Sequence, residues 1–137
     1  MTTTGEARPP RRLGRSALAV LAGLAANVVL AMLADQLMYA LGAFPRPPAI
    51  SYATVPYIIA TAYRAVFGVA GSWLAARLAP SHPMRHALIL GGIGLVLCTA
   101  GLVAAFKMDL GPVWYPFALL VMTPACAWLG GVLGARR

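Results

Sequence analysis

The sequence predicts an all-α integral membrane protein, a four-helix up-down bundle that crosses the bilayer four times. Three observations carry this. Only 10% of the 137 residues are charged and 61% are hydrophobic, whereas a soluble domain carries roughly 25% charged residues and needs polar groups to cover its surface. The apolar residues gather into four stretches, each near the ~20 residues that cross the hydrocarbon at 1.5 Å per residue. The basic residues flank those stretches unevenly, and they face only three acids, Glu6, Asp35 and Asp109.

Residues 1–15 hold Arg8, Arg11, Arg12 and Arg15 and read as a disordered basic tail. Span one covers about 16–41, uncharged from Ser16 to Ala34 and continuing through Asp35. An arginine-rich start with Gly23-Leu24-Ala25 also fits a cleavable secretory signal. The apolar stretch is longer than a signal core and three spans follow, so a retained anchor is expected. Pro45, Pro47, Pro48 and Pro56 then break the chain and make a stiff loop.

Span two covers about 56–78 and is interrupted by Arg64, while Arg77 at its end can snorkel. Pro80 and Pro83 separate it from span three, about 86–106, and the short polar run Lys107 to Pro112 leads into span four, about 113–134. Trp114, Tyr115 and Phe117 open span four as an aromatic belt would. Pro116 falls in the first turn, where proline is tolerated; Pro124 lies mid-span and frees the carbonyl of Leu120, beside Thr123. Connections this short make consecutive spans antiparallel neighbours.

Arg8, Arg11, Arg12, Arg15, Arg77, Arg85, Arg136 and Arg137 lie on one side, against Arg46 and Lys107 on the other. The positive-inside rule then places both termini in the cytoplasm. The same arginines satisfy topology and anionic headgroups, and without aromatic interleaving in the tail no nucleic-acid partner is expected. The bilayer itself is the expected partner, with a homo-oligomer or another membrane protein as a further one.

Asp35 and Arg64 are the chemical anomaly, because a charge at membrane depth costs about 3 kcal/mol and normally finds a partner inside the protein. Counted from the ends of their spans, Asp35 lies ~9 Å and Arg64 ~12 Å deep, so antiparallel neighbours can bring them together. Gly23, Asn27, Ala31, Asp35 and Tyr39 recur every four residues along span one, and Tyr57, Ala60, Thr61, Gly68, Gly71 and Ala75 share a face with Arg64. Small residues at this spacing let membrane helices approach closely. Asp35 and Arg64 are thus expected as an intramembrane pair, structural or transport-related, with Asn27, Tyr39 and Tyr57 as possible cavity-lining residues.

The remaining candidates read as structural. Gly91, Gly92, Gly94 and Gly101 in span three and Gly130, Gly131 and Gly134 in span four fall inside apolar helices, where they serve packing rather than phosphate binding. Cys98 and Cys126 have no redox or metal spacing and read as small apolar fillers. His82 and His86 flank Pro83, which breaks any helix through both, and no third ligand is near, so no metal is expected. Ser51 has no histidine on its side of the membrane, and no enzymatic chemistry or cofactor is expected.

Asp35, Gly42-Ala43-Phe44-Pro45, Tyr63-Arg64, Ala79-Pro80-Ser81-His82-Pro83-Met84 and Trp114-Tyr115-Pro116, in that order, resemble an uncharacterised family of small four-span bacterial inner-membrane proteins. The resemblance covers nearly the whole chain and implies the fold and an inner (cytoplasmic) membrane location, with no activity to carry over. Small multidrug exporters share the size and span count but use a glutamate well inside the first span, where this chain has Asp35 near the end. The sequence therefore points to a structural or accessory membrane protein or small subunit. A small proton- or cation-coupled transporter using Asp35 is the alternative.

Overall fold

In a computed structural model the described residues are 13–46 and 49–136. They form four helices: α1 Leu13–Ala40, α2 Thr54–Leu78, α3 Pro83–Met108 and α4 Trp114–Ala135. Each is long and apolar enough to cross a membrane, so the chain is a multi-pass all-α bundle. Residues 1–12 of the expected tail, with three of its four arginines, lie outside the described residues, and Arg15 stands in α1 rather than in the tail. The α3 start moves from 86 to Pro83 because proline is well placed at the first helical position, where its missing N–H is not needed.

Local chemistry explains each helix end. Past α1, Gly42 takes φ +73°, while Ala43 N–H donates to the Met38 carbonyl at 2.9 Å and Gly42 N–H to that of Tyr39 at 3.2 Å. This pair of bonds is the Schellman closure, and it needs a left-handed residue that glycine supplies without strain. Ala79 is extended after α2, as the residue before Pro80 must be. His82 precedes α3 with φ +48°, and its carbonyl accepts from Arg85 N–H at 3.1 Å and lies 3.0 Å from the His86 ring nitrogen Nδ1. The two histidines thus form a turn and a first helical turn.

The core is made mostly of small residues, with Val20, Met38 and Leu90 the larger apolar side chains buried among them. Ala60, Ala75, Ala76, Ala87 and Ala127 are buried with Gly71, Gly91, Gly130, Gly131 and Gly134. Most large side chains point outward: Leu18 is 67% exposed, Val66 64% and Val96 70%. Lipid accepts such a surface without penalty, so association rests on close backbone packing rather than on hiding leucines.

The α2 helix is central and touches all three others, whereas α1 packs on α2, meets α3 thinly and does not reach α4. A square up-down bundle would close α1 against α4; here the diagonal pair α2 and α4 closes instead. A Cβ added at Gly130 would meet Val69 O and Ser72 Cβ at 2.5 Å, and one at Gly134 would meet Ala76 Cβ at 2.5 Å. Residue numbers rise together along this contact, so α2 and α4 run parallel. Gly91 against Ala127 and Gly94 against Thr123 join α3 to α4 in the antiparallel sense. Gly92 and Gly101 take no part in packing within the chain, since neither has a neighbour within 4 Å of an added Cβ.

Arg15, Arg77, Arg85 and Arg136 fall at the end of the bundle that carries the termini, and Arg46 and Lys107 at the loop end. Arg77 lies over the Trp73 ring at 5.7 Å and donates to the Arg136 carbonyl at 3.2 Å, tying the ends of α2 and α4.

Candidate functional site

Asp35 sits a little over one turn from the end of α1, on the stripe that meets α2 through Gly23 and Gly71. That close approach sets the register between the two antiparallel helices and delivers Arg64 to the aspartate. Arg64 Nη2 donates to Asp35 Oδ2 at 2.6 Å, and the Tyr63 hydroxyl donates to Asp35 Oδ1. Both carboxylate oxygens are engaged. The side chains of Arg64 and Asp35 remain 33% and 28% exposed, so the pair is neither sealed in the core nor open on a surface.

Tyr63 was not among the site residues suggested by the sequence. It precedes Arg64 directly and stands a rotation of ~100° away on a helix of 3.6 residues per turn, off the stripe that shares a face with Arg64. It reaches the same carboxylate because Asp35 approaches between the two positions. The Tyr63 ring lies 5.8 Å from that of Phe67, one turn further along α2. Tyr115 of α4 also lies within electrostatic range of Arg64.

A slot of about 270 Å³ runs down the bundle from this pair. Asn27 lines it with Asp35 on α1, Arg64 and Ser72 on α2, Cys98 on α3, and Thr123 and Cys126 on α4, amid Leu, Met, Val, Ala and Gly. Cys98 Sγ lies 3.5 Å from Thr123 Oγ1, which donates to the Leu119 carbonyl at 2.7 Å. Thr123 therefore serves the carbonyl one position before the one that Pro124 frees. Both cysteines are free and border the slot rather than filling the core.

Tyr39 and Tyr57, expected as possible cavity-lining residues, are not in the wall of this slot. They belong to an aromatic cluster at the loop end. Tyr39 and Phe44 centroids are 6.2 Å apart, Phe44 and Tyr57 5.0 Å, and Tyr57 and Tyr115 5.0 Å. Trp114 joins at 6.5 Å from Tyr57, so one face of the aromatic belt turns inward. Edge and tilted ring pairs of this kind add to packing beyond their area. Gly111 makes room at φ +134°, where an added Cβ would stand 2.8 Å from the Tyr57 hydroxyl.

Among the described residues, the loops over this end are joined by one polar contact. Tyr52 of the first connection donates its hydroxyl to Asp109 Oδ1 of the third at 2.5 Å. The bond to the Asp109 carboxylate, aided by slight desolvation, raises the Tyr52 pKa above 10.0.

Chemically, the site offers a carboxylate neutralised by a guanidinium and a phenol, next to a mostly apolar slot. Comparison of the chain with family models, with curated proteins and with solved structures gives no match.

Proposed function

We propose that this multi-pass membrane protein is a structural or accessory component of the bacterial inner membrane, non-enzymatic, with both termini in the cytoplasm. It works through the bilayer and through a second membrane protein or another copy of itself. The observation that carries this reading is the double engagement of Asp35. A carboxylate bonded by Arg64 and Tyr63 ties α1 to α2 and is a poor carrier for protons or cations, whose binding would compete with the guanidinium.

Charge exchange tests it. Asp35→Arg and Arg64→Asp should each lose folded protein in membranes, and the double exchange should recover both the fold and the wild-type partners that co-purify from native membranes. A double exchange that folds but loses a measurable transport activity would sink the structural reading. Reporter fusions at each terminus test the orientation, with cytoplasmic reporters expected to be active at both ends.

One observation favours the transporter as a second reading: Asp35 borders a slot in the bundle. That reading requires proteoliposomes of the wild-type chain to exchange protons for a lipophilic cation, and Asp35→Asn to abolish the exchange. Wild-type vesicles no leakier than protein-free ones would end it.

A further inference from the structure

The slot beside the Asp35 and Arg64 pair has the dimensions of a single chain. It extends from Arg64 to Ser72 on α2 and from Leu119 to Ala127 on α4, about 12 Å at 1.5 Å per residue. Spread over that length, its 270 Å³ leaves a cross-section of roughly 20 Å² by the same rise per residue. That is the width of one extended hydrocarbon chain. A partner helix, about 10 Å across with its side chains, does not fit.

Access is sideways. All four helices line the slot, but α1 meets α3 only thinly, and Val28 and Met32 of α1 with Leu97 of α3 are wall residues that are also exposed, so the slot opens to the hydrocarbon between α1 and α3. The polar end lies near the loop side, since α1 ends five residues beyond Asp35, about 8 Å. Arg64 gives one N–H to Asp35 and meets the Tyr115 side chain; its Nε is buried without a partner among the described residues, while a third of the side chain is exposed and leaves guanidinium N–H groups open to the slot. Because Asp35 already neutralises the guanidinium, a second anion meets repulsion where a neutral acceptor does not.

We propose that the slot holds one acyl chain of a membrane glycerophospholipid from the leaflet at the loop end, its ester carbonyl accepting a hydrogen bond from Arg64. The chain fills the space between α1 and α3, whose own contact is thin. This goes beyond the structural reading of the pair and does not depend on it, since the lipid uses N–H groups that Asp35 leaves over.

The test uses the full chain in vesicles of phosphatidylethanolamine and phosphatidylglycerol doped with phosphatidylethanolamine carrying a diazirine in one acyl chain. After irradiation, adducts should concentrate on Leu24 and Met122 in the slot wall over Val66 and Val121, which face outward. Val28→Trp, filling the slot, should remove the slot adducts, while Val29→Trp, exposed but outside the slot wall, should keep them. Leu97→Trp closes the opposite wall and serves if the first variant does not fold. Asn27→Leu should also keep the adducts, because a hydrocarbon occupant has no need of that amide.

An ether-linked analogue, which has no carbonyl, should label the slot several-fold less than the ester. Even labelling of outward residues, survival of slot adducts in the filled variants, or their loss in Asn27→Leu would overturn the proposal. Equal labelling by ether and ester would overturn the carbonyl contact. A diazirine fatty acid that outcompetes the phospholipid would show a carboxylate ligand instead, and the assignment would fail.

Discussion

Gly23 and Gly71 meet reciprocally across the α1 and α2 contact: a Cβ on the first would stand 2.5 Å from the Gly71 carbonyl oxygen, and one on the second 2.7 Å from that of Gly23. Each glycine leaves the space that the other's backbone occupies. The atoms in the way are backbone carbonyls, which cannot swing aside as a side chain can. The approach also places Asp35 within reach of Arg64 two to three turns away.

Gly23→Ala is therefore expected to cost about 1–3 kcal/mol of stability, the range for forcing a methyl into a packed contact. Gly92→Ala, with open space around it, should be neutral or stabilising by up to about 1 kcal/mol through helix propensity. Reversible unfolding in mixed micelles, followed by helicity, separates the two. Equal effects would refute the packing assignment.

Removing one partner of the ion pair leaves the other charge unpaired at membrane depth. Arg64→Met or Asp35→Leu alone should each destabilise by roughly 2 kcal/mol, below the cost for fully buried pairs because both side chains are about a third exposed. The double variant, carrying no charge there, should regain most of that loss. A double-mutant cycle on the same unfolding signal shows the coupling.

Tyr63→Phe removes one hydrogen bond to the same carboxylate, so a loss of about 1–2 kcal/mol is expected for a bond to a charged acceptor. Its effect should be non-additive with Arg64→Met, since both groups act on Asp35. Strict additivity would mean that Tyr63 acts through its contact with Phe67 instead.

The loop contact carries a pH dependence. The folded pKa of Tyr52 is raised above its ordinary 10.0, so the neutral phenol is the favoured form. Its contribution is fully present below pH 10.0 and is lost as pH rises through the raised value. The tyrosinate absorbance assigned by difference from Tyr52→Phe should have its midpoint above 10.0, and Asp109→Asn should bring it down. A midpoint unmoved by Asp109→Asn would place the cause elsewhere.

The four helices and the two ionisable residues between α1 and α2 were legible because lipid makes both patterns severe: an apolar run must reach ~20 residues, and a charge within it stands out. Tyr63 was not legible, since a tyrosine beside an arginine in an apolar run says nothing of what crosses from the next helix. The α2 to α4 diagonal was hidden for a different reason. Gly68, Gly71, Ser72, Ala75 and Ala76 put small residues on more than one side of α2, so spacing alone does not tell which neighbour takes which side. Tyr39 continues the Asp35 stripe in sequence, but its ring is drawn to Phe44 by the turn after α1.

The central place of α2 bears on how the chain is made. It is the least apolar of the four helices, and it carries the arginine. A nascent segment of that composition enters the bilayer most readily beside one that already offers an aspartate, and α1 has just been synthesised when α2 emerges. Insertion of the first two spans as a hairpin is the expected consequence, with α3 and α4 closing afterwards on a helix whose charge is already answered.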